Sequence, residues 1–318
     1  MPELPEVETI ARGLASRVKG DVIESVWLGQ KPEPLKSPAR EIAATLEHSR
    51  ISAVRRQGKH IVFDLEPHTD EPGAARAPVS AKNPAAKPSD ELSLAKGQKR
   101  RGRAALQGRV KRTKSDGALA PAQWIVHLGM TGRLQVCDPQ SEILKHTHAI
   151  LKLASGRELR FVDPRRFGRL SVARGEFDAG GVEPLEADLE RFNALFRGRK
   201  TPIKSALLNQ KLLRGVGNIY ADESLFRAGI RPRRRASTIS REQLAKLLIA
   251  IKEVLQEAIA LGGSSISDYV DADGEEGFFQ LQHRVYGREG EPCVVCKTPI
   301  KRIVIAGRSS HYCRKCQK

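Results

Sequence analysis

The hydrophobic and polar positions of this chain change their spacing about halfway along it. From Val22 to Leu65, and again from Trp124 to Ala173, short apolar runs follow a period of two and are separated by glycine and proline. A period of two places alternate side chains on opposite faces of a strand. The pattern is typical of an antiparallel β-sandwich or barrel and differs from that of βαβ units.

Helical spacing flanks this predicted sheet region on both sides. At the N-terminus, Pro5 suits a first helical position, and apolar residues share one face: Val7, Ile10, Leu14 and Val18. After about residue 179 the chain becomes largely helical. The clearest helix is predicted to start at a capping box formed by Ser240 and Gln243 and to end at Gly262 and Gly263.

The pattern is lost between Pro67 and Pro121, where the chain is rich in Ala, Pro, Lys, Gly and Ser. This stretch holds twelve Lys and Arg residues against five Asp and Glu residues, so its net charge is +7. Such a composition buries too little apolar surface to offset the entropy of ordering the chain. We therefore expect residues 67–120 to be a disordered basic insertion between two strands.

Length and charge narrow the functional class. The 318 residues are enough for two domains, and 55 Lys and Arg against 37 Asp and Glu leave a net charge of +18. A surplus of this size favours a polyanionic partner, with nucleic acid first and an anionic membrane surface second. No apolar run approaches the ~20 residues that cross a bilayer, and MPELPEVETI has no secretory pattern. We expect a soluble, cytoplasmic protein that binds nucleic acid.

The cysteines predict a metal site. Four of the five lie in the last 26 residues, in two CxxC pairs separated by sixteen residues: Cys293, Cys296, Cys313 and Cys316. This spacing fits a tetrahedral zinc site with four thiolates, and a filled shell makes the ion structural. The alternative is two incidental pairs of reduced thiols. The fifth, Cys137, stands alone.

The extreme N-terminus offers a nucleophile. Pro2 is small enough to permit removal of Met1, which would leave a secondary α-amine that titrates near ~8 and is partly neutral at neutral pH. Such an amine can attack a sugar C1′ and form an iminium. Glu3 lies beside it to move protons, and Glu6 follows one turn later. The alternative from composition alone is that proline and glutamate merely start a helix.

Five segments occur together and in one order: MPELPEVETI, HLGMTG, DPRRFG, GVGNIYADE and the C-terminal CxxC pairs. In this combination the chain resembles the bacterial formamidopyrimidine-DNA glycosylase family. The resemblance covers nearly the whole chain except residues 67–120. Most members of that family connect the two flanking strands with a short turn.

The resemblance implies a set of catalytic residues. Pro2 matches the Schiff-base nucleophile, Glu3 matches the acid that assists base departure and sugar-ring opening, and Glu6 matches a supporting acid. Lys59 matches the lysine of proton transfer during β-elimination. Arg308 matches the zinc-hairpin arginine that grips the phosphates of the flipped nucleotide and serves δ-elimination. Taken alone, Lys59 is typical of an exposed turn lysine.

The resemblance also implies DNA contacts. A flipped base leaves a void, which Met130 and Phe167 would fill while Arg165 bonds the orphaned partner base. Asn218 is expected as the N-cap of the second helix of a helix–two-turn–helix that binds phosphate. Further contacts are implied for four basic residues: His146, Arg199, Lys200 and Lys204. Taken alone, Met130 and Phe167 suit a core, and the basic residues suit a solvated face.

The expected fold is α+β with two domains. Residues 1–178 form an N-terminal catalytic β-sandwich domain with an N-terminal helix, residues 179–280 a helix–two-turn–helix domain, and residues 281–318 a zinc-finger β-hairpin. The loop SISDYVDADGEEGFF before the hairpin is placed like the family's mobile lesion-covering loop. Its acidity argues against a phosphate site.

The implied function is that of a bifunctional DNA glycosylase and abasic-site lyase that removes oxidised purines such as 8-oxoguanine. The expected partner is double-stranded DNA carrying oxidised bases or abasic sites. We expect a monomer with one structural zinc ion, in the bacterial cytoplasm and associated with the nucleoid. Two alternatives stay open, an endonuclease VIII type that prefers oxidised pyrimidines and a non-enzymatic zinc DNA-binding protein. The second leaves Pro2, Glu3 and Lys59 without a purpose.

Overall fold

The computed structural model describes residues 2–68, 121–265 and 277–318. In chain order the elements of the first half are α1 (Leu4–Val18), β1 (Ile23–Leu28), α2 (Ala39–Leu46), β2 (Ser49–Gln57), β3 (His60–Pro67), β4 (Ala122–His127), β5 (Arg133–Cys137), β6 (Thr147–Leu153), β7 (Glu158–Val162) and β8 (Arg169–Arg174). Those of the second half are α3 (Leu189–Phe196), α4 (Ile203–Leu207), α5 (Asn218–Arg227), α6 (Arg241–Ala260), β9 (Lys301–Ile305) and β10 (Arg308–Tyr312).

The strands of the first half form two antiparallel sheets with four strands each, in the orders β1-β6-β7-β5 and β2-β3-β4-β8. One hydrophobic core joins both sheets with α1 and α2 and includes Phe63, Trp124 and Phe161. The predicted face of α1 is buried in that core. The expected N-terminal sandwich with a leading helix is therefore confirmed.

The helices of the second half share a separate core. Leu213 and Tyr220 pack there against the apolar stripe of α6, which includes Leu247 and Val254. The predicted capping box of α6 is present, because the Ser240 side chain accepts a hydrogen bond from the Gln243 N–H. Only α1 deviates slightly, since it begins at Leu4 and Pro5 is its second residue.

The last two strands, β9 and β10, pair as an antiparallel hairpin between the two cysteine pairs. Strand β10 packs against α5, so the hairpin is in direct contact with the helical domain. In the described part of the chain no helix is both long enough and apolar enough to cross a membrane.

Two expectations concern residues outside the described ranges. The predicted basic insertion falls almost wholly there, as does the loop predicted between α6 and the hairpin, of which residues 266–276 are not described. The flanking strands are described, and β3 and β4 are direct neighbours in which Leu65 faces Ala122.

Candidate active site

The N-terminus of α1 lies against the helix–two-turn–helix. Pro2 and Glu3 are buried, and the Leu4 N–H donates to the Gly215 carbonyl over 3.0 Å. Glu3 Oε1 accepts a 3.1 Å hydrogen bond from the N–H of Ile219, in the first turn of α5. A carboxylate at this place pairs with the free N–H groups and the positive end of the helix dipole.

Glycine is required where Glu3 meets α5. A Cβ on Gly217 would lie 2.3 Å from the Glu3 carboxyl carbon, far inside van der Waals contact. Gly217 is also the N-cap of α5, which begins at Asn218. The expectation that Asn218 is the N-cap is therefore wrong by one residue, because the carboxylate of Glu3 serves the helix end instead.

The Glu6 carboxylate is buried next to Glu3 and accepts several hydrogen bonds. Glu6 Oε2 accepts from the Glu3 N–H over 2.7 Å, and Oε1 accepts from the Ser264 N–H over 2.8 Å and from the Tyr220 hydroxyl. Burial raises the pKa of the Glu6 carboxyl, and the neighbouring charge of Glu3 adds to this, while the donors oppose it. Glu6 thus links α1, α5 and the end of α6.

Lys59 reaches the same site from the turn between β2 and β3. Its side chain is 7% exposed. Burial lowers the pKa of the Lys59 ammonium, the carboxylates of Glu3 and Glu6 raise it, and the Arg308 guanidinium lowers it. The turn therefore brings Lys59 within electrostatic reach of all three of these residues, whereas the sequence alone is typical of an exposed turn lysine.

Arg308 is exposed at the start of β10, directly after the turn of the hairpin. The next residue is anchored twice by the helical domain. Ser309 Oγ accepts from Asn218 Nδ2 over 3.3 Å, and the Ser309 carbonyl accepts from Lys204 Nζ over 2.6 Å. These two bonds fix the hairpin backbone at Arg308, whose charge acts on Lys59.

Lys204 does not lie at the surface, where a contact with DNA would require it to be. Its side chain has no exposed surface and lies 2.7 Å from Asp222 Oδ1. The same carboxylate accepts the His311 N–H over 2.8 Å through Oδ2. A direct contact between Lys204 and DNA is therefore wrong, because a fully buried and paired ammonium presents no charge to a phosphate.

The other expected DNA contacts are at the surface. His146, Arg199 and Lys200 are exposed. The carbonyl of His146 accepts the N–H of Asp163 over 3.0 Å, which places His146 beside the DPRRFG segment. The structure does not bring Arg199 and Lys200 into contact with the buried carboxylates.

Two exposed apolar side chains lie on neighbouring loops. Met130 is 40% exposed and Phe167 is 52% exposed. Asp163 joins the loops, because it accepts hydrogen bonds from the Thr131 hydroxyl (2.6 Å) and from the N–H of Gly168 (2.7 Å). Apolar side chains held at the surface by such a network can enter a gap in a base stack.

Arg165 completes this pair of loops. It is exposed, and its guanidinium carbon lies 4.9 Å from the centroid of the Phe167 ring. This cation–π contact orients both side chains together. The loops also interlock, since a Cβ on Gly129 would lie 2.5 Å from the backbone of Phe167 and Gly168.

Sequence reasoning missed two residues of the site. The pKa of Tyr286 is raised by burial and by the charges of Glu3 and Asp222, which places its hydroxyl near the carboxylates. Its only sequence signal is an aromatic residue in a polar segment. His127 is the last residue of β4 and begins the HLGMTG segment; Lys59 is near enough to lower its pKa.

The four clustered cysteines form a candidate metal centre. The sulfurs of Cys293, Cys296, Cys313 and Cys316 all lie within 4.8 Å of one another. A tetrahedral zinc ion with bonds of about 2.3 Å separates its sulfurs by about 3.8 Å. The Cys293–Cys316 and Cys296–Cys313 distances of 3.9 and 3.4 Å fit such an ion. Cys137 lies on β5, outside this cluster.

Family comparisons match three consecutive parts of the chain. The formamidopyrimidine-DNA glycosylase N-terminal domain matches residues 1–170, the helix–two-turn–helix domain of the same enzymes matches residues 181–270, and the zinc finger found in these proteins and in isoleucyl-tRNA synthetases matches residues 290–318. Together these matches leave only short gaps.

Individual relatives are similar over their whole length. The formamidopyrimidine-DNA glycosylase of Solibacter usitatus is 42% identical, and that of Gluconobacter oxydans is 38% identical, with all of both chains covered. Among solved structures, the MutM (Fpg) protein of Thermus thermophilus is 36% identical, with a TM-score of 0.74 over 99% of this chain and 98% of that one. The Lactococcus lactis Fpg in complex with DNA that contains an abasic site is 28% identical, with a TM-score of 0.76 over 99% of each chain.

Proposed function

Because the chain belongs to the formamidopyrimidine-DNA glycosylase family, we propose that the amine of Pro2 is the nucleophile with which this protein cuts damaged DNA. The protein is a base-excision-repair glycosylase with abasic-site lyase activity, and it binds DNA. The observation that carries the assignment of residues is the convergence of Glu3, Lys59 and Arg308, from three separate elements, around the start of α1.

The proposed reaction begins with attack of the neutral Pro2 nitrogen on C1′ of the damaged nucleotide. The bond to the base breaks, and the departing base takes up the proton that the Pro2 nitrogen loses. The sugar ring then opens as its oxygen receives a proton. Glu3 supplies that proton through Oε2, a buried oxygen that has no hydrogen-bond partner in the described part of the chain. Its other oxygen is occupied by the N–H of Ile219. The product is an iminium between Pro2 and C1′.

Elimination follows from the iminium. Loss of a C2′ proton expels the 3′ phosphate, and a second elimination expels the 5′ phosphate. Lys59 is proposed as the proton-transfer group, because burial lowers the pKa of its ammonium and makes the neutral amine more accessible than on a surface lysine. Arg308, exposed and cationic beside Lys59, is proposed to hold the phosphates and to assist the second elimination. Glu6 is proposed as the supporting acid behind Glu3.

The duplex is proposed to be held open by the two loops around Asp163. Met130 and Phe167 would enter the gap left by the flipped nucleotide, and Arg165 would bond the base left without a partner. Asn218, His146, Arg199 and Lys200 are proposed as phosphate contacts, together with His127 and Tyr286. Phosphate contacts of this kind position a protein without reading sequence.

One structural zinc ion belongs to the hairpin. Its ligands are the four clustered cysteines, and the ion supplies no chemistry beyond closing the fold that carries Arg308. We place the domain boundaries after residues 178 and 280, and the family matches that end at residue 170, span 181–270 and begin at 290 support these positions.

The proposed substrates are oxidised purines, 8-oxoguanine and formamidopyrimidines. One Lactococcus lactis Fpg complex contains Fapy-dG DNA, and another contains DNA with an oxidised pyrimidine. Cleavage of both lesion classes in matched duplexes measures the preference directly. Faster cleavage of the oxidised pyrimidine would favour the endonuclease VIII type. Since the relatives are bacterial, we also propose residence in the bacterial cytoplasm, at the nucleoid.

Reductive trapping tests the nucleophile. Incubation with an 8-oxoguanine duplex and borohydride should freeze the iminium as a stable adduct, and peptide mapping should locate it at Pro2. Pro2→Gly should weaken or abolish trapping, whereas Lys59→Met, the matched control, should still trap at Pro2. An adduct on Lys59 contradicts the assignment of the nucleophile, and the absence of any adduct with the unmodified protein contradicts the proposed chemistry.

A further inference from the structure

A row of basic side chains crosses the end of the second sheet. His60 of β3 pairs directly with His127 of β4, and His127 pairs directly with Arg169 of β8. Directly paired residues of neighbouring strands point to the same face of a sheet. That face is the outer one, because the Phe177 ring packs edge-on against His60 at 5.1 Å, while Ile61 belongs to the core.

His127, the middle residue of this row, is held as one neutral tautomer. The Nδ1 atom of His127 accepts the N–H of Gly129 over 3.1 Å. Burial lowers the pKa of His127 to about 3, and the charges of His60, Arg169 and Lys59 contribute. A neutral ring whose Nδ1 is an acceptor carries its proton on Nε2. His127 can therefore offer an Nε2–H donor at neutral pH.

Arg169 supplies the charge that His127 lacks. It is exposed, and no carboxylate pairs with it in the parts of the chain that the structure describes. The neighbouring Arg166, in contrast, is paired with Glu33 over 2.9 Å. A guanidinium without a carboxylate partner, beside an N–H donor, offers the fork of donors that matches a phosphate.

The two loops that carry Met130 and Phe167, called the wedge loops from here on, adjoin this row of residues. Their position indicates which ligand the row would meet. His127 ends β4 three residues before Met130, and Arg169 begins β8 two residues after Phe167. The two loops interlock at Gly129. DNA whose base stack receives Met130 and Phe167 must therefore run its backbone within a few residues' reach of His127 and Arg169.

We propose that Arg169 binds a backbone phosphate of the duplex, next to the phosphate contact already proposed for His127, and that this contact is independent of base and lesion. The proposal rests on the proposed function, since it takes the wedge loops as the part that enters DNA. Arg169 would thereby add a phosphate contact at the end of the cross-strand row that His60 and His127 begin.

Salt dependence of binding tests this contact. Arg169→Gln should weaken binding to a lesion duplex and to an undamaged duplex by the same factor, roughly tenfold for one charge-assisted hydrogen bond. The slope of log K against log salt should become less steep by about 0.9, the value for one phosphate contact. Arg169→Lys, which keeps the positive charge, should restore most of the slope.

Arg174→Gln is the matched control. Arg174 is exposed at the other end of the same strand, where it pairs with Ala122, and its loss should leave the slope unchanged. An unchanged slope in Arg169→Gln, or a loss of cleavage at saturation with normal affinity, would overturn the proposal. Because the slope is measured on undamaged DNA, its outcome is separate from the borohydride test of the Pro2 chemistry.

Discussion

His60 and His127 show how strongly tertiary packing sets the chemistry of single residues. Their ring centroids lie 5.0 Å apart. Burial lowers the pKa of His60 to about 4 and that of His127 to about 3. Both rings are therefore uncharged in the folded protein under conditions in which an unfolded chain protonates them.

The free energy of unfolding should depend on pH because of this pair of histidines. Well above pH 6.5 the rings are neutral in both states and contribute nothing to the pH dependence. As the pH falls from 6.5 to about 4, the unfolded chain binds protons that the folded chain does not, so the free energy of unfolding falls. Each ring contributes at most about 1.4 kcal/mol per pH unit, in the middle of this window, and less at its ends, where one of the two states is half protonated.

His60→Gln should remove one ring's share of that slope, as measured by denaturant unfolding at pH 4 to 7. His146→Gln, which removes an exposed ring, is the matched control and should leave the slope as it is. An equal slope in His60→Gln and in the unmodified protein would contradict burial of a neutral ring at this position.

At the scale of the elements, α5 is the part to which the other pieces of the site are fastened. Its first turn receives Glu3 from α1. Glu223 accepts the backbone N–H groups of residues 284–286 over 2.8 to 3.0 Å. Asp222 bonds Lys204 and the hairpin residue His311. The hairpin that carries Arg308 is thus held by buried charges, and the zinc ion is not its only support.

Lys204→Met should reveal this support. It leaves the Asp222 carboxylate buried without its ammonium partner, a change that typically costs 3–5 kcal/mol. Arg308 should then be poorly placed, so the second elimination should slow more than base excision. Gel analysis of the products should show more β-elimination and less β,δ-elimination.

The zinc content of Lys204→Met should stay at one ion per chain, which separates a shifted hairpin from an unfolded one. Lys246→Met removes an exposed lysine of α6 and is the matched control. If Lys204→Met slowed base excision and both eliminations equally while binding zinc normally, the role assigned to the Lys204–Asp222 pair would be wrong.

At the scale of the whole molecule, the basic stretch between β3 and β4 adds positive charge to the enzyme. Its sequence has nine basic and no acidic residues from Lys96 to Lys114, and no aromatic residue from 69 to 120 to stack on a base. Since β3 and β4 are direct neighbours, a short turn can join them without changing their register.

Replacement of residues 68–120 with a Gly-Asn turn should leave single-turnover cleavage of a saturating lesion duplex nearly unchanged. It should weaken binding to undamaged DNA and flatten its salt dependence, because fewer phosphates are neutralised. A collapse of cleavage in a folded variant would place the segment in the active site. An unchanged salt slope would make it a linker without a role in binding.

Much of this protein follows from local sequence. Period-two runs and the stripes of α1 and α6 predicted two antiparallel sheets and the helical half, because each element buries one face and its side chains repeat accordingly. The two CxxC pairs predicted the metal centre, since four thiolates at that spacing suit one ion. The N-terminal Pro-Glu and the ordered motifs predicted the family.

Tertiary structure alone decided what the ionisable residues do. Local sequence does not distinguish Lys59 from Lys204. In the structure, Lys59 lies within electrostatic reach of the carboxylates of Glu3 and Glu6, whereas Lys204 is buried in an ion pair with Asp222. Asn218 is a residue type that often caps helices. In the structure, however, the N–H of Ile219 at the start of α5 donates to the carboxylate of Glu3, which lies 216 residues earlier in the chain. The neutral ring of His127 and the place of Arg169 beside it likewise depend on strands that meet only after folding. The pKa and contacts of a charged group are set by burial and by neighbours distant in sequence, and local spacing carries no record of either.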